Sequence, residues 1–292
     1  MSTSIETSHK KLSVIIITYN NEKHIWSCLC SLKNSLQSLN MGNQIIVVDN
    51  SSSDDTVEII QKDKSINLVK NKKNAGFAKG VNRGIKRACG DLLLILNPDT
   101  RLYKDSLVKL VQCLEKTNSG VVGGMAYKLN GSLHGSFVRR PTLGTVLFDY
   151  SNLRKIIPGD IFHKRHYYNN LGSVKNTIKV DVVSGAYMLI DSKVIKDIGK
   201  FDENFFMYLE DVDFCVRAAK KRHKISVCPE SKIVHIGGAS SNNRDRINHK
   251  AWDQSRRYYT RKHFGKLTNF IIQPIFIVDN LVTILWRKLK SR

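Results

Sequence analysis

Four times between residues 12 and 125, a short apolar run ends in a polar residue and gives way to a segment of helical period. The first run is "LSVIIIT", residues 12–18, followed by "YNNE" and by Ile25, Cys28, Leu29, Leu32, Leu36 and Leu39 at helical spacing. "QIIVVDN" then precedes "SSSDDTVEIIQK", "INLVKN" precedes "AGFAKGVNRGIKRA", and "DLLLILNPDT" precedes "YKDSLVKLVQCLEK". Short runs rich in β-branched residues, alternating with helices, predict right-handed βαβ units: an α/β fold with a mostly parallel central sheet and helices on both faces. Such an open sheet takes its ligands beyond the carboxyl ends of its strands. That singles out Thr18, Tyr19 and Asn20, then Asp49 and Asn50, then Asn97 and Asp99.

Beyond residue 126 the periodicity loosens until about residue 176, a length that in a compact domain marks a functional or mobile segment. Order returns with "IKVDVVSGAYMLI", a strand-like stretch broken at Ser184 and Gly185, a short helix from Asp191, a helix ending near Lys221, and "SKIVHIGG". The expected division is a polar tail at 1–11, one domain at 12–250 and a basic helical region at 251–292. Within the domain, residue 125 separates a regular half, 12–125, from a looser half, 126–250.

The net charge is +22, and its distribution is informative. Residues 126–180 hold nine Lys/Arg against two Asp/Glu, and residues 241–292 hold twelve against three. Two basic patches suit a polyanion: nucleic acid, anionic lipid or a diphosphate. After Pro274, a stripe of Ile275, Val278, Val282 and Leu285, widened by Phe276, Leu281 and Trp286, leaves Asp279, Asn280 and Thr283 to one side, and "RKLKSR" follows. This predicts an amphipathic helix with a basic end that lies on a membrane surface; an ordinary packed helix or a homodimer contact are the alternatives. The N-terminus "MSTSIETSHKK" lacks the apolar middle of a secretion signal, and no uninterrupted apolar run reaches about 18 residues. The expectation is a cytoplasmic protein held peripherally at the inner face of the cell membrane. The six cysteines lack paired ligand spacing and read as reduced thiols.

Several residues could carry chemistry. Asp99 ends a buried strand, where a carboxylate either caps the next helix or holds a divalent cation, Mg²⁺ or Mn²⁺, against a diphosphate. Asp49 either caps the next helix or accepts hydrogen bonds from a base or ribose. "NAGFAKGVNRG" matches neither familiar phosphate-loop pattern; its glycines allow close helix packing, while Asn74, Asn82 and Arg83 are placed to face a ligand. "FFMYLEDVDFCVR", residues 205–217, sets Glu210, Asp211 and Asp213 in one helical turn behind an aromatic run. The helix dipole accounts for one or two acids there; three in an apolar setting suit a general base with a raised pKa. His235, ending "KIVH", is either a satisfied core histidine or a further cation ligand.

Taken together, "SVIIITYNN", "IIVVDNSSSDDT", "NAGFAKGVNRG", "LLLILNPDT", "SGAYMLIDSKVIKDIGKFDENFFMYLEDVDFCVR" and "VHIGGAS" resemble the family-2 glycosyltransferases, inverting enzymes of the GT-A nucleotide-diphospho-sugar fold. "NPDT", "GAYMLI" and the carboxylate stretch resemble bacterial rhamnosyltransferases that extend lipid-linked surface polysaccharides. The resemblance implies that Thr18, Asn20, Asp49, Asn74, Arg83, Asn97 and Asp99 bind the nucleotide-sugar. It implies that Asp99 and His235 hold a divalent metal, that Asp211 is the catalytic base beside Glu210, and that Asp213 and Tyr208 orient the base or the acceptor. Asn97 stands where many members carry an aspartate. "QSRRY", residues 254–258, is similar to the Gln-x-x-Arg-Trp motif of processive members but ends in Tyr.

The implied reaction moves rhamnose from dTDP-rhamnose to a lipid-linked or polysaccharide hydroxyl; UDP-galactose or UDP-GlcNAc are the alternative donors. A nucleic-acid-binding protein is the rival reading, and it uses only the charge. The expectation with most at stake is geometric: Asp211 and a cation near Asp99 flank one cleft.

Overall fold

The computed structural model describes residues 10–151, 166, 168, 176–237 and 245–290. Much of the unpatterned 126–176 stretch, and the residues just after Gly237, lie outside the described residues. In chain order the elements are β1 (Lys11–Thr18), α1 (Glu22–Gln37), β2 (Gly42–Asp49), α2 (Thr56–Gln61), β3 (Ile66–Lys70), α3 (Phe77–Ile85), β4 (Leu92–Leu96), β5 (Thr100–Leu102), α4 (Ser106–Thr117) and β6 (Val121–Tyr127). There follow β7 (Leu133–His134), β8 (Phe137–Val138), α5 (Leu143–Phe148), β9 (Ile178–Lys179), β10 (Val182–Val183) and β11 (Tyr187–Asp191). The chain continues through α6 (Ser192–Ile198), α7 (Glu210–Lys220), β12 (Ile225–His235), α8 (Asp245–Phe264) and α9 (Lys266–Lys290).

The main sheet runs β3-β2-β1-β4-β11-β6-β12-β5. β1 pairs in parallel with β2 and β4, β2 with β3, and β12 with β6. β11 is the exception that matters: it lies antiparallel between β4 and β6, with Tyr187 opposite Leu96. Its beginning therefore meets the edge where β1, β2, β4 and β12 end. Strand residues from both halves of the chain converge there.

Along β1, alternate side chains serve opposite faces, as a two-residue period requires. Val14 and Ile16 join Leu29, Leu32 and Leu110 on one face. Ile15 and Ile17 join Ala78 and Val81 on the other. The spaced glycines of α3 belong to this second face. A Cβ on Gly84 would come within 2.3 Å of Ile15 Cγ2, and one on Gly80 within 2.9 Å of Ile17 Cγ2, so both glycines let the helix lie directly on the strand. Overfilling such a contact costs about 1–3 kcal/mol.

The C-terminal helices differ from the sequence expectation. α9 begins at Lys266, ahead of Pro274, so the proline lies inside the helix and does not start it. The stretch Lys266–Leu285 is long and apolar enough to cross a membrane, and little of it is buried. Its polarity is inside out. Asp279 turns inward to Arg256 of α8 (Nη1 to Oδ2, 2.5 Å), and Asn280 accepts from the same guanidinium at 2.8 Å. Phe276 is buried beneath it, while Phe270, Ile277, Val278, Leu281 and Leu285 are exposed. Arg256 is only 1% exposed and also pairs with Asp253. Removing one partner from a buried pair of this kind costs about 3–5 kcal/mol, so α8 and α9 are firmly joined. Arg256 is thus a structural bolt between these helices, while Arg257, which holds the arginine place of "QSRRY", pairs with Asp253 of its own helix.

Candidate active site

At the carboxyl edge of the sheet lies a cavity of about 340 Å³. β1 contributes Thr18 and Tyr19, the β2 end Asn50, the loop before α3 Asn74 and Gly76, the β4 end Asn97, Pro98 and Asp99, and the β12 end His235. Phe77, Phe206, Met207 and Tyr208 close the far wall. Gly76 adopts φ +87°, and its missing side chain matters: a Cβ would fall 2.3 Å from the Phe206 carbonyl oxygen, which accepts from Phe77 N at 2.7 Å. That hydrogen bond ties the strand-end half to the loop carrying the carboxylates. Thr18 Oγ1 is buried without a hydrogen-bond partner among the described residues, a donor and acceptor held ready for a ligand.

Asp99 and His235 meet on the opposite wall, Oδ1 to Nε2 at 3.2 Å, and Asn97 Nδ2 lies 3.4 Å from the same ring nitrogen. Burial pushes the Asp99 carboxyl up, but the hydrogen bond and charge of His235 outweigh it and hold it below the usual carboxylate range. A hard oxygen and an imidazole nitrogen at this separation fit one divalent cation, because adjacent ligands of an octahedral ion bound at about 2.1 Å lie about 3 Å apart. Among the described residues no third His, Cys, Asp or Glu completes a cluster. Asp99 and His235 would then be the protein's share of the ligands, in keeping with the few side chains that Mg²⁺ takes at phosphate sites. His134, from β7, packs its ring 4.7 Å from that of His235, and burial followed by the charge of His235 presses its pKa down.

The carboxylate turn is built on strained backbone. Tyr208 and Leu209 both adopt left-handed conformations, φ +74° and +65°, which for side chains of this size cost about 1–3 kcal/mol each. They turn the chain so that α7 starts with its N–H groups toward Glu210 and Asp211. Asp211 is half-buried; it accepts from Gly185 N at 2.9 Å and Val212 N at 2.8 Å. Burial raises its pKa above the ordinary carboxylate value, and those backbone donors only partly oppose it. Glu210 is buried, with Oε2 unpartnered among the described residues; burial and the charge of Asp211 push its pKa well up. Asp211 does not line the cavity itself. It stands one layer behind Phe77: a Cβ on Gly185 would lie 3.3 Å from the Phe77 ring and 3.6 Å from Asp211 Cβ.

Of the residues singled out from sequence, Thr18, Asn74, Asn97, Asp99, Tyr208 and His235 line one cavity. Others are occupied elsewhere. Asp49 spends its carboxylate on its own turn, accepting from Ser51 N and Ser52 N at 3.0 Å each and from Ser52 Oγ. Asn20 exchanges hydrogen bonds with Ser53, and Arg83 donates to Asn71 from the surface. Asn82 is buried, bonded to the Phe201 backbone and Glu203. Asp213 does not line the cavity: it is fully buried and paired with Arg217, Lys262 and His263, so it stands to act on the turn that carries Asp211 and not to touch an acceptor. Sequence reasoning missed His134 and Asn248, both on the cavity wall. His134 sits in a two-residue strand with no period to reveal it.

The sequence profile of Glycosyl transferase family 2 matches residues 13–199. The chain is 29% identical to the low-salt glycan biosynthesis hexosyltransferase Agl10 of Haloferax volcanii, over 79% of this chain and 68% of that protein. It is 24% identical to the N-acetylglucosaminyl-diphospho-decaprenol L-rhamnosyltransferase of Mycobacterium tuberculosis, over 85% and 82%. Among solved structures it superposes on the mannosyltransferase PcManGT from Pyrobaculum calidifontis, in complex with GDP-Man and Mn²⁺, at a TM-score of 0.57 and 17% identity, covering 92% of this chain and 69% of that one. It matches S. aureus TarS at 0.53 and 21%, covering 77% of this chain but only 36% of that one.

Proposed function

We propose, from the premise that this chain belongs to glycosyl transferase family 2, that it transfers rhamnose from dTDP-rhamnose to a hydroxyl of a lipid-linked glycan, with inversion at the sugar. Its fold is GT-A, and sugar transfer in glycan synthesis is its activity. The donor and acceptor rest on the rhamnosyltransferase relatives and on the site. The observation that carries the mechanism is the cavity whose one wall presents a depressed carboxylate, Asp99 with His235, and behind whose other wall stands an elevated one, Asp211.

Thr18, Asn50 and Asn74 would hold the nucleoside end. Asp99 and His235 would hold a divalent cation, Mg²⁺ or Mn²⁺, which when bound neutralises the diphosphate. Asp211 takes the proton from the acceptor hydroxyl. That oxygen attacks the anomeric carbon from the face opposite the nucleotide, the glycosidic bond to the diphosphate breaks, and configuration inverts. Phe77 has to swing aside, or the acceptor enter over it, for the carboxylate to reach the hydroxyl. Residues 12–125 supply the nucleotide-binding edge, and 126–250 the base and acceptor side. The outward apolar face of α9, with the basic residues near its ends, would rest on the inner face of the cell membrane and bring the site to a membrane-bound acceptor.

A thermal-shift panel of nucleotide-sugars with Mg²⁺ or Mn²⁺ tests the donor, since ligand binding raises the melting temperature by mass action. dTDP-rhamnose should give the largest shift. A larger response to UDP-galactose or UDP-GlcNAc would move the donor assignment to that sugar.

A further inference from the structure

The start of α7 is held from α8, a helix beyond the stretch matched by the family profile. Asp213 meets Lys262 at 2.6 Å and His263 Nε2 at 2.9 Å. Lys262 also reaches Asp202 at 2.7 Å, and Tyr258 donates its hydroxyl to that same carboxylate at 2.8 Å. Ser255 Oγ donates to the Met207 carbonyl at 2.8 Å. α8 therefore grips the chain on both sides of the left-handed pair Tyr208 and Leu209. Backbone in that conformation persists only where its surroundings impose it.

The geometry points to Lys262 and His263 as positioning residues for the transfer reaction: by clamping Asp213 and Asp202 they fix the turn that aims the Asp211 carboxylate. Neither residue lines the nucleotide cavity, whose donor-binding wall is made by strand ends. A clamp in this place acts on turnover and spares nucleotide affinity. The inference rests on Asp211 being the base.

The full-length chain and its variants are compared by three measurements: dTDP affinity by calorimetry, dTDP release from dTDP-rhamnose in the presence of acceptor lipid, and hydrogen exchange of residues 202–213. His263→Ala and Lys262→Met should lower turnover by about ten- to a hundredfold, with the dTDP Kd held within about twofold and faster exchange confined to 202–213. His263→Gln, which can still donate to Asp213, should restore most of the turnover. The proposal is overturned if both variants turn over within about twofold of the parent, or if dTDP binding and turnover fall together and His263→Gln rescues neither. Should His263→Ala fail to fold, Tyr258→Phe removes only a hydroxyl; it must lower turnover and loosen 202–213, and no change in either overturns the proposal. Asp211→Asn serves as control: full turnover there would remove the base assignment, whereas the exchange measurement judges the clamp without any substrate.

Discussion

The strand-end wall of the cavity and the helix start behind its far wall treat their carboxylates in opposite ways. Asp99 is buried beside an imidazole and held down; Glu210, buried, and Asp211, half-buried, have no cation beside them among the described residues and are pushed up. In the same helical turn, Asp213 is buried too, yet His263, Lys262 and Arg217 more than offset the effect of burial and keep its carboxyl low. Burial alone therefore does not set the proton affinity of an acid in this molecule; the nearest cation does. On the proposed mechanism, Asp99 in the cavity wall would supply the lasting negative charge, and Asp211, a layer behind the far wall, the proton acceptor.

That contrast can be broken most severely at Asp211. Asp211→Asn should reduce turnover by about 10²–10⁴-fold while calorimetry finds dTDP affinity little changed. In the parent, turnover should fall as pH drops through the raised Asp211 pKa, since a base must be ionised. The acid limb then lies above the ordinary carboxylate range, and a limb at or below that range would contradict the assignment. Next in size is Asp99→Asn, which should weaken metal-dependent dTDP binding by about 10–100-fold and leave binding of the free nucleoside nearly intact. Equal loss of both would mean that Asp99 shapes the pocket and holds no cation.

The smallest expected effect sharpens the comparison through stability. Glu210 has a higher pKa folded than unfolded, so the native state binds its proton more tightly, and its contribution declines as pH rises from the unfolded value through the folded one. Glu210→Gln should therefore melt a few degrees above the parent at neutral pH, with the gap closing in acid. Asp99 and Asp213 behave in the reverse sense: their contribution is complete above the unfolded pKa and disappears as pH falls through the folded one. A melting difference for Glu210→Gln that stays constant with pH would remove the unpaired-acid interpretation.

The strand-end residues were legible in sequence because β-branched runs announce buried strands, and the parallel topology gives all their carboxyl ends one destination. Thr18, Asn97, Asp99 and His235 met there for that reason. Asp49 follows the local one of its two readings, since Ser51 and Ser52, two and three residues on, claim its carboxylate; Arg83 is harder, because Asn71 lies twelve residues back in another segment. Asp213 looks identical to its neighbours until helix α8 arrives fifty residues later. α9 shows its stripe in sequence but not which side faces inward. The buried Arg256 decides that, by drawing Asp279 toward itself.

The insertion of β11 between β4 and β6, and of β12 beyond them, also has a bearing on how the protein is made. Asn97 and His235 are 138 residues apart, and His263 comes later still. Synthesis from the N-terminus delivers β1 to β4 first and α7, His235 and α8 last. On the roles proposed above, a chain interrupted midway would lack Asp211 and could not spend activated sugar before its second half is complete.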